Sequence, residues 1–163
     1  GAVFAPAGAV ARIVKDGGNG ARVGVCVDVG VGGGLLVGAT LTQRPDLFNA
    51  VVCQVPLLDM RRYHRLLAGA SWMAEYGNPD VPEDWAVISR YSPYQNVSAD
   101  QTYPEVLFTT STRDDRVHPG HARKMAARML ALGHAPLYYE NIEGGHAGAL
   151  GRASIAARAA RAA

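Results

Sequence analysis

The chain has little of what marks a metal, membrane or nucleic-acid protein. Its two cysteines, Cys26 and Cys53, lie in apolar runs without metal-ligand spacing, which favours buried reduced thiols over a disulfide between them. No apolar stretch reaches about 18 residues without a charge or a break, so no membrane partner is predicted. The arginines are scattered and the net charge is only +2, so no nucleic-acid partner is predicted either.

Histidine spacing and the amino-terminal stretch exclude two further classes. No pair among the five histidines has the spacing and acidic companion of a zinc helix, so neither a metal nor a cofactor is expected. The Ala/Gly-rich start is interrupted by Arg12, Lys15 and Asp16, which makes a poor signal peptide and favours a cytoplasmic location.

What is present is an alternation of short apolar runs with helical stretches. Strands are predicted at 23–29, 49–55, 104–111 and 137–142, helices at 33–43, 57–70 and 119–132, and a turn-rich excursion at 75–85. Strands that alternate with helices of this length predict an α/β fold with a mostly parallel sheet flanked by helices. The domain spans 23–150, between an irregular segment at 1–22 and an Ala/Arg-rich, weakly docked tail at 151–163.

The run Gly30-Val31-Gly32-Gly33-Gly34 lies between the first predicted strand and the first predicted helix. This pattern is typical of a nucleophile elbow, G-x-S-x-G, in which glycines allow a sharp turn and close helix–strand packing. Val31 occupies the position where the serine belongs. A valine has no lone pair to attack a carbonyl and no proton for a base to remove. The scaffold therefore indicates a serine hydrolase, and its tip residue predicts no catalysis.

A candidate acid and a candidate base follow later strands. Asp114 comes after strand 104–111, and His146 lies in a glycine-rich loop after strand 137–142. Nucleophile, acid and base in this order are typical of α/β-hydrolases. Read alone, Asp114 is better explained as a loop aspartate that caps the helix near Pro119, and the alternative for His146 is an exposed loop histidine. No other serine or cysteine lies in an elbow-like turn, so no replacement nucleophile is predicted.

From Gly33 to about Gly148 the chain resembles the catalytic domain of the prolyl oligopeptidase family of serine peptidases. The matching segments, in family order, are GGLLVGATLTQRPDLFNAVV, VPLLDMRRYH, WMAEYGNPD, YSPYQNV, DDRVHP and GGHAGA. The resemblance implies a partial α/β-hydrolase fold and, in the family, hydrolysis of short peptides through an acyl-enzyme.

The resemblance also implies roles for individual residues. Asp114 matches the triad acid, ahead of its neighbour Asp115, and His146 matches the general base. Val31 stands at the nucleophile position, and the N–H of Gly32, the next residue, would be an oxyanion donor.

Four further residues match substrate contacts of the family. Trp72, Tyr76 and Leu57 match the pocket for the residue before the cut bond, and Arg116 matches an arginine that holds a substrate carbonyl. The alternatives are ordinary core packing for the first three and a surface ion pair with Asp114 or Asp115 for Arg116.

The function that these features favour is a prolyl-oligopeptidase-like domain made inactive by Val31. The alternatives are a non-catalytic pseudoenzyme, a truncated remnant, and an esterase of the same fold. The expected ligand is a short peptide or a peptide-like molecule. Association through an exposed sheet edge is a further expectation, because unpaired strand edges recruit other chains.

Overall fold

One five-stranded sheet organises the chain. A computed structural model describes the backbone of residues 13–15, 23–26 and 31 and the whole of residues 32–146. The tail predicted at 151–163 lies outside the described residues, as does most of the segment predicted at 1–22. The strands are β1 (Ile13–Lys15), β2 (Val23–Cys26), β3 (Ala50–Gln54), β4 (Glu105–Ser111) and β5 (Leu137–Asn141).

The strands lie side by side in chain order, and β2, β3, β4 and β5 run parallel to one another. This confirms the predicted mostly parallel α/β sheet. The central strands bury an apolar face in the core, as Val51 and Cys53 do from the same face of β3. The edge strand β1 pairs antiparallel with β2, and it lies within the segment expected to be irregular.

Five α-helices and three short 3₁₀ helices accompany the sheet in the described residues. The α-helices are α1 (Val31–Gln43), α2 (Met73–Tyr76), α3 (Pro82–Ile88), α4 (Pro93–Asn96) and α5 (Gly120–Ala131). The 3₁₀ helices span Pro45–Leu47, Tyr63–Arg65 and Leu67–Trp72. None of the helices described is long and apolar enough to cross a membrane.

Two predictions between β3 and β4, a helical stretch within 57–70 and a turn-rich segment at 75–85, differ from the structure. The helix expected at 57–70 is replaced by a turn and two 3₁₀ helices, with Leu67 at a φ of 49°. The chain folds back so tightly there that a Cβ on Gly69 would lie 1.7 Å from the Tyr63 carbonyl oxygen. Conversely, the excursion predicted at 75–85 contains most of α3, which begins at Pro82 with two acidic residues in its first turn.

The buried apolar residues form two clusters. The first lies between the sheet and helices α1 and α5, and its members include Leu41, Val51, Phe108, Met125 and Met129. The second, which we call the aromatic cluster, joins α1 to the chain that follows β3. Its buried members are Leu35, Ala39, Leu57, Met60, Tyr63, Tyr76, Ile88, Tyr91 and Val117, with Trp72, Met73 and Trp85 packed against them.

Helix α1 packs unusually close to the end of β3. A Cβ on Gly34 would lie 2.5 Å from the Cα of Pro56 and 2.9 Å from the Gln54 carbonyl oxygen. Both contacts are with backbone, which cannot rotate away as a side chain can. The glycines at 32–34 lie inside α1, which begins two residues earlier than the predicted helix at 33–43. The absence of a side chain at Gly34 allows α1 to pack this close to the end of β3.

Replacing Gly34 with alanine is expected to destabilise the fold. In an open helix the change would stabilise by about 1 kcal/mol through helix propensity. The clash with Pro56 should reverse the sign and leave a net loss of about 1–3 kcal/mol, measured by urea unfolding. Thr40→Ala is the control on the same helix, because its hydroxyl only bonds back to the Leu36 carbonyl. Equal stability of the two variants would contradict the close approach.

A buried polar network ties α5 to the chain after β3. The Asp59 carboxylate is fully buried, and it accepts hydrogen bonds from Lys124, from Arg62 at 3.3 Å and from Gln95 at 2.7 Å. Burial opposes ionisation, but Lys124 and Gln95 outweigh it and lower the pKa of Asp59. The Asp59 N–H donates to Nδ1 of His121 at 3.0 Å, which fixes a neutral imidazole with its proton on Nε2.

Stability should fall as His121 is forced to take a proton. Burial lowers the pKa of His121 to about 4, whereas in the unfolded chain it titrates near 6.5. The unfolded state therefore binds the extra proton first, and up to about 3 kcal/mol is lost as the pH falls from about 6.5 to about 4. Urea unfolding across this pH range measures the slope.

Two variants test whether this slope belongs to His121. His121→Asn keeps an acceptor for the Asp59 N–H and should flatten the slope, since asparagine does not titrate. His118→Gln removes a neighbouring histidine that is the last and smallest of the causes lowering the pKa of His121, so the slope should change only slightly. An unchanged slope in His121→Asn would assign the pH dependence to other groups.

Candidate active site

The predicted catalytic positions all follow the carboxyl ends of parallel strands. Position 31 opens α1 after β2, Asp114 follows β4, and His146 follows β5. In a parallel sheet these ends lie at one edge, which is where ligands bind in open α/β folds. The sheet topology therefore brings the three positions to the same side of the molecule.

Asp114 is held rigidly by its own loop. Its Oδ1 atom accepts hydrogen bonds from the N–H groups of Arg116 and Val117, both at 2.9 Å. Its own N–H donates to the Ser111 carbonyl at 3.2 Å, which closes the turn after β4. The carboxylate is fully buried. Asp114 thus caps its own turn, and among the described residues no side chain caps α5 at Pro119.

The second carboxylate oxygen of Asp114 faces His146. Nδ1 of His146 lies 2.7 Å from Oδ2 of Asp114. A buried carboxylate is an acceptor only, so the imidazole carries a proton on Nδ1 and leaves Nε2 as the basic nitrogen. The His146 side chain is 15% exposed, so that the ring is partly open to solvent while the acid behind it is not. Asp114 and His146 thus have the mutual geometry of the aspartate and histidine in a hydrolase triad.

The nucleophile position lies in the first turn of α1. Val31 begins the helix, and Gly32 follows it, half-buried. The first N–H groups of a helix have no partner within it, so the Gly32 N–H has the character that an oxyanion donor needs. The Val31 side chain lies outside the described residues. Position 31 precedes Leu35 by one helical turn, and Leu35 belongs to the aromatic cluster.

The structure brings the three predicted pocket residues together in the aromatic cluster. Leu57 and Tyr76 are buried, and Trp72 is half-buried against them. Trp72 and Tyr76 do not share the face of one regular helix, since Trp72 ends a 3₁₀ helix and Tyr76 ends the four-residue α2. The Tyr76 ring packs edge-on against Tyr63, 5.9 Å between centroids. Burial raises the pKa of the Tyr76 hydroxyl, which therefore stays protonated.

Arg116 directly precedes Val117 of this cluster but is not itself a member. Its side chain is exposed beside the Asp114 turn, and among the described residues its guanidinium forms no ion pair with Asp114 or Asp115. The surface ion pair offered as its alternative role is therefore not formed. Its link to the site is its backbone N–H, which holds the carboxylate of Asp114.

Two surface grooves in the described part of the chain lie away from the carboxyl edge of the sheet. Between residues 32 and 146 no group of three or more metal-ligating side chains converges. Two surface grooves flank Tyr103 and Pro104, where β4 begins, and one of them extends to Phe48 and Asn49 before β3. They therefore lie at the amino ends of the strands, opposite the Asp114–His146 pair.

The sequence pattern predicts no functional role for Ser111 or Asn141. Ser111 is the last residue of β4 and is fully buried, and Asn141 is the last residue of β5. Their only sequence signal is position: each ends a strand whose following loop carries a predicted catalytic residue.

This fold, with Asp114 and His146 paired at the carboxyl edge of the sheet, is that of the α/β-hydrolase class. A family model described as the prolyl oligopeptidase family (peptidase S9) matches residues 25–163. The chain therefore belongs to the prolyl oligopeptidase family of serine peptidases.

Two relatives show the extent of this similarity. The uncharacterized peptidase y4nA of Sinorhizobium fredii is 61% identical over 120 residues, which are 74% of this chain and 16% of that protein. A prolyl endopeptidase of Dictyostelium discoideum is 44% identical over 101 residues, 61% of this chain and 13% of that protein. The chain thus spans less than a fifth of the length of these curated relatives.

Solved structures agree in fold. A prolyl endopeptidase structure superposes with a TM-score of 0.67 at 49% identity, over 72% of this chain and 18% of that one. A post-proline cleaving enzyme from Rickettsia typhi superposes with a TM-score of 0.66 at 46% identity, over 72% of this chain and 17% of its own. At these identities the similarity covers sequence as well as fold, and it confirms the predicted α/β-hydrolase architecture.

Truncating Asp114 should cost more stability than changing it to an amide. Asp114→Asn keeps an oxygen for the N–H groups of Arg116 and Val117, whereas Asp114→Ala leaves both without their acceptor. We expect Asp114→Ala to lose about 1–3 kcal/mol more than Asp114→Asn in urea unfolding. Exposed Asp115→Ala is the control and should stay within about 0.5 kcal/mol of the parent chain. Equal losses for the two Asp114 variants would exclude the capping role.

Proposed function

We propose that this chain carries the acid and base of a prolyl-oligopeptidase-type site without its nucleophile, and that it binds peptide but does not cleave it. The observation that carries the proposal is the pair of Asp114 and His146, 2.7 Å apart, at the sheet edge where α1 opens with valine. Asp114 is the proposed acid and His146 the proposed base.

The acid and base support a proton-transfer role. Asp114 would hold the imidazole in the tautomer that leaves Nε2 unprotonated, and would stabilise the imidazolium formed when Nε2 accepts a proton. Two backbone N–H groups already bind the other carboxylate oxygen, so the carboxylate needs no rearrangement to do this. The pair is preorganised for a reaction that needs a hydroxyl beside it.

That hydroxyl is what the chain lacks. Val31 offers neither a lone pair nor a transferable proton, and no serine or cysteine within residues 32–146 hydrogen-bonds to His146. Ser111, close in sequence to the acid, is buried and bonded to backbone carbonyls instead. Cys53 is a free, buried thiol whose pKa burial raises, so it supplies no thiolate. In a serine protease, loss of the nucleophile costs about 10⁶ in turnover.

The proposed ligand is a short peptide with a proline or another compact apolar residue at the aromatic cluster. The half-buried Trp72 indole offers a flat apolar face, and Leu57 and Tyr76 form the buried wall behind it. Two similar proteins bear the names prolyl endopeptidase and post-proline cleaving enzyme. Arg116, exposed beside the Asp114 turn, is the proposed donor to a peptide carbonyl.

Restoring the serine should create a reactive site. A fluorophosphonate probe reacts when a serine Oγ attacks phosphorus, fluoride leaves and a base takes the hydroxyl proton. We expect no labelling of the parent chain and time-dependent labelling of Val31→Ser, measured by the mass of the intact adduct. Labelling of the parent chain at any residue would contradict the missing nucleophile.

The matched control removes the base. Val31→Ser combined with His146→Ala should label at least about 10²-fold more slowly, because the hydroxyl then lacks its proton acceptor. If both Val31→Ser forms label equally, His146 is not the base. Failure of Val31→Ser to label in a folded chain would refute the proposed site. Reaction of that variant with a short acyl ester but not with a proline peptide would identify an esterase site.

A further inference from the structure

We propose that Ser111 and Asn141 are positioning residues that hold His146 against Asp114. Neither was singled out by the sequence, and neither touches a reacting atom in the proposed reaction. The inference rests on the proposed function of the Asp114–His146 pair. It concerns how the fold keeps two loops in register when each follows a different strand.

Ser111 connects the two loops from the acid side. Its Oγ lies 3.0 Å from the Asn141 carbonyl oxygen, and it also hydrogen-bonds to the carbonyl of Gly144, two residues before the base. The side chain is fully buried, so water does not compete for its single hydroxyl proton. Asp114 is bonded to the same residue through the Ser111 carbonyl. Ser111 therefore contacts both the acid turn and the loop of the base.

Asn141 shapes the loop from the base side. Its Oδ1 atom accepts hydrogen bonds from the N–H groups of Glu143 at 3.0 Å and Gly144 at 3.3 Å, an arrangement that closes a turn directly after β5. Its carbonyl accepts the N–H of Thr112 at 2.9 Å, which extends the pairing of β4 and β5 past their ends. Gly144 is thus held by Asn141 through its N–H and by Ser111 through its carbonyl.

These hydrogen bonds fix the position of Gly144, two residues before His146. Glycines at 144 and 145 would otherwise give this loop wide backbone freedom. A shift of about 1 Å in a catalytic group costs up to about 10²-fold in rate, so the loop has to be constrained from outside. Within residues 32–146, Ser111 and Asn141 supply the side-chain hydrogen bonds that do this.

The experiment compares two hydroxyl deletions on one face of β4. Ser111→Ala removes a hydroxyl bonded to the base loop. Thr109→Val, two residues earlier, removes a buried hydroxyl that has no hydrogen-bond partner among the described residues. Both are made in the full chain and in its Val31→Ser form. Proton NMR of the full chain follows the low-field signal of the Nδ1 proton of His146, assigned by its loss in His146→Gln.

We expect Ser111→Ala to lose or broaden the low-field signal while the dispersed amide spectrum and the unfolding transition persist. In the Val31→Ser form it should slow fluorophosphonate labelling on the order of tenfold. Thr109→Val should keep both the signal and the labelling rate. Asn141→Leu should behave as Ser111→Ala does, and Asn141→Asp, which retains the side-chain oxygen, should restore the signal.

The proton signal separates this inference from the proposed function, because it needs no nucleophile. A sharp signal in Ser111→Ala and Asn141→Leu overturns the positioning role, whatever the labelling shows. Loss of the signal in Thr109→Val as well would make the effect a general one of β4 and would also overturn it. If Val31→Ser never labels but the signal follows the pattern above, the positioning role stands and the proposed reaction does not.

Discussion

Three hydrogen bonds converge on the buried carboxylate of Asp114, and the geometry of the site depends on them. Two come from the backbone of its own turn and one from the imidazole of His146. Burying a carboxylate without such partners would cost several kcal/mol of folding free energy. The turn and the imidazole therefore have to stay in contact with the carboxylate in the folded chain. Asp114 therefore fixes the position of the His146 ring.

The sheet separates the Asp114–His146 pair from position 31. Asp114 and His146 follow β4 and β5, which pair over five residues, whereas position 31 follows β2, two strands away from β4. The contacts that assemble the pair are local to the β4–β5 end. Under the proposed function, a change at position 31 would alter the reaction while these contacts persist.

The sequence allowed β2 to β5 and the two long helices to be predicted, because buried parallel strands are continuous apolar runs and α5 has clear ends. The antiparallel edge strand β1 was not predicted. The stretch between β3 and β4 was less predictable. Its conformation depends on the left-handed backbone of Leu67 and on the close approach of Gly69 to the Tyr63 carbonyl. No local sequence pattern indicates either feature. Helix α3 did have one, since Pro82 followed by two acidic residues is a helix start.

The roles of the site residues came from family resemblance, because the contacts that join them span long separations in sequence. Ser111 and Gly144 lie 33 residues apart, and Asp114 and His146 lie 32 apart. No periodicity within a strand or helix encodes such pairs. What the sequence does encode is the order of strands, and parallel strands placed in order bring their following loops to one edge. A buried hydroxyl that ends one strand and an amide that ends the next are therefore well placed to align the loops beyond them, whether or not a nucleophile completes the site.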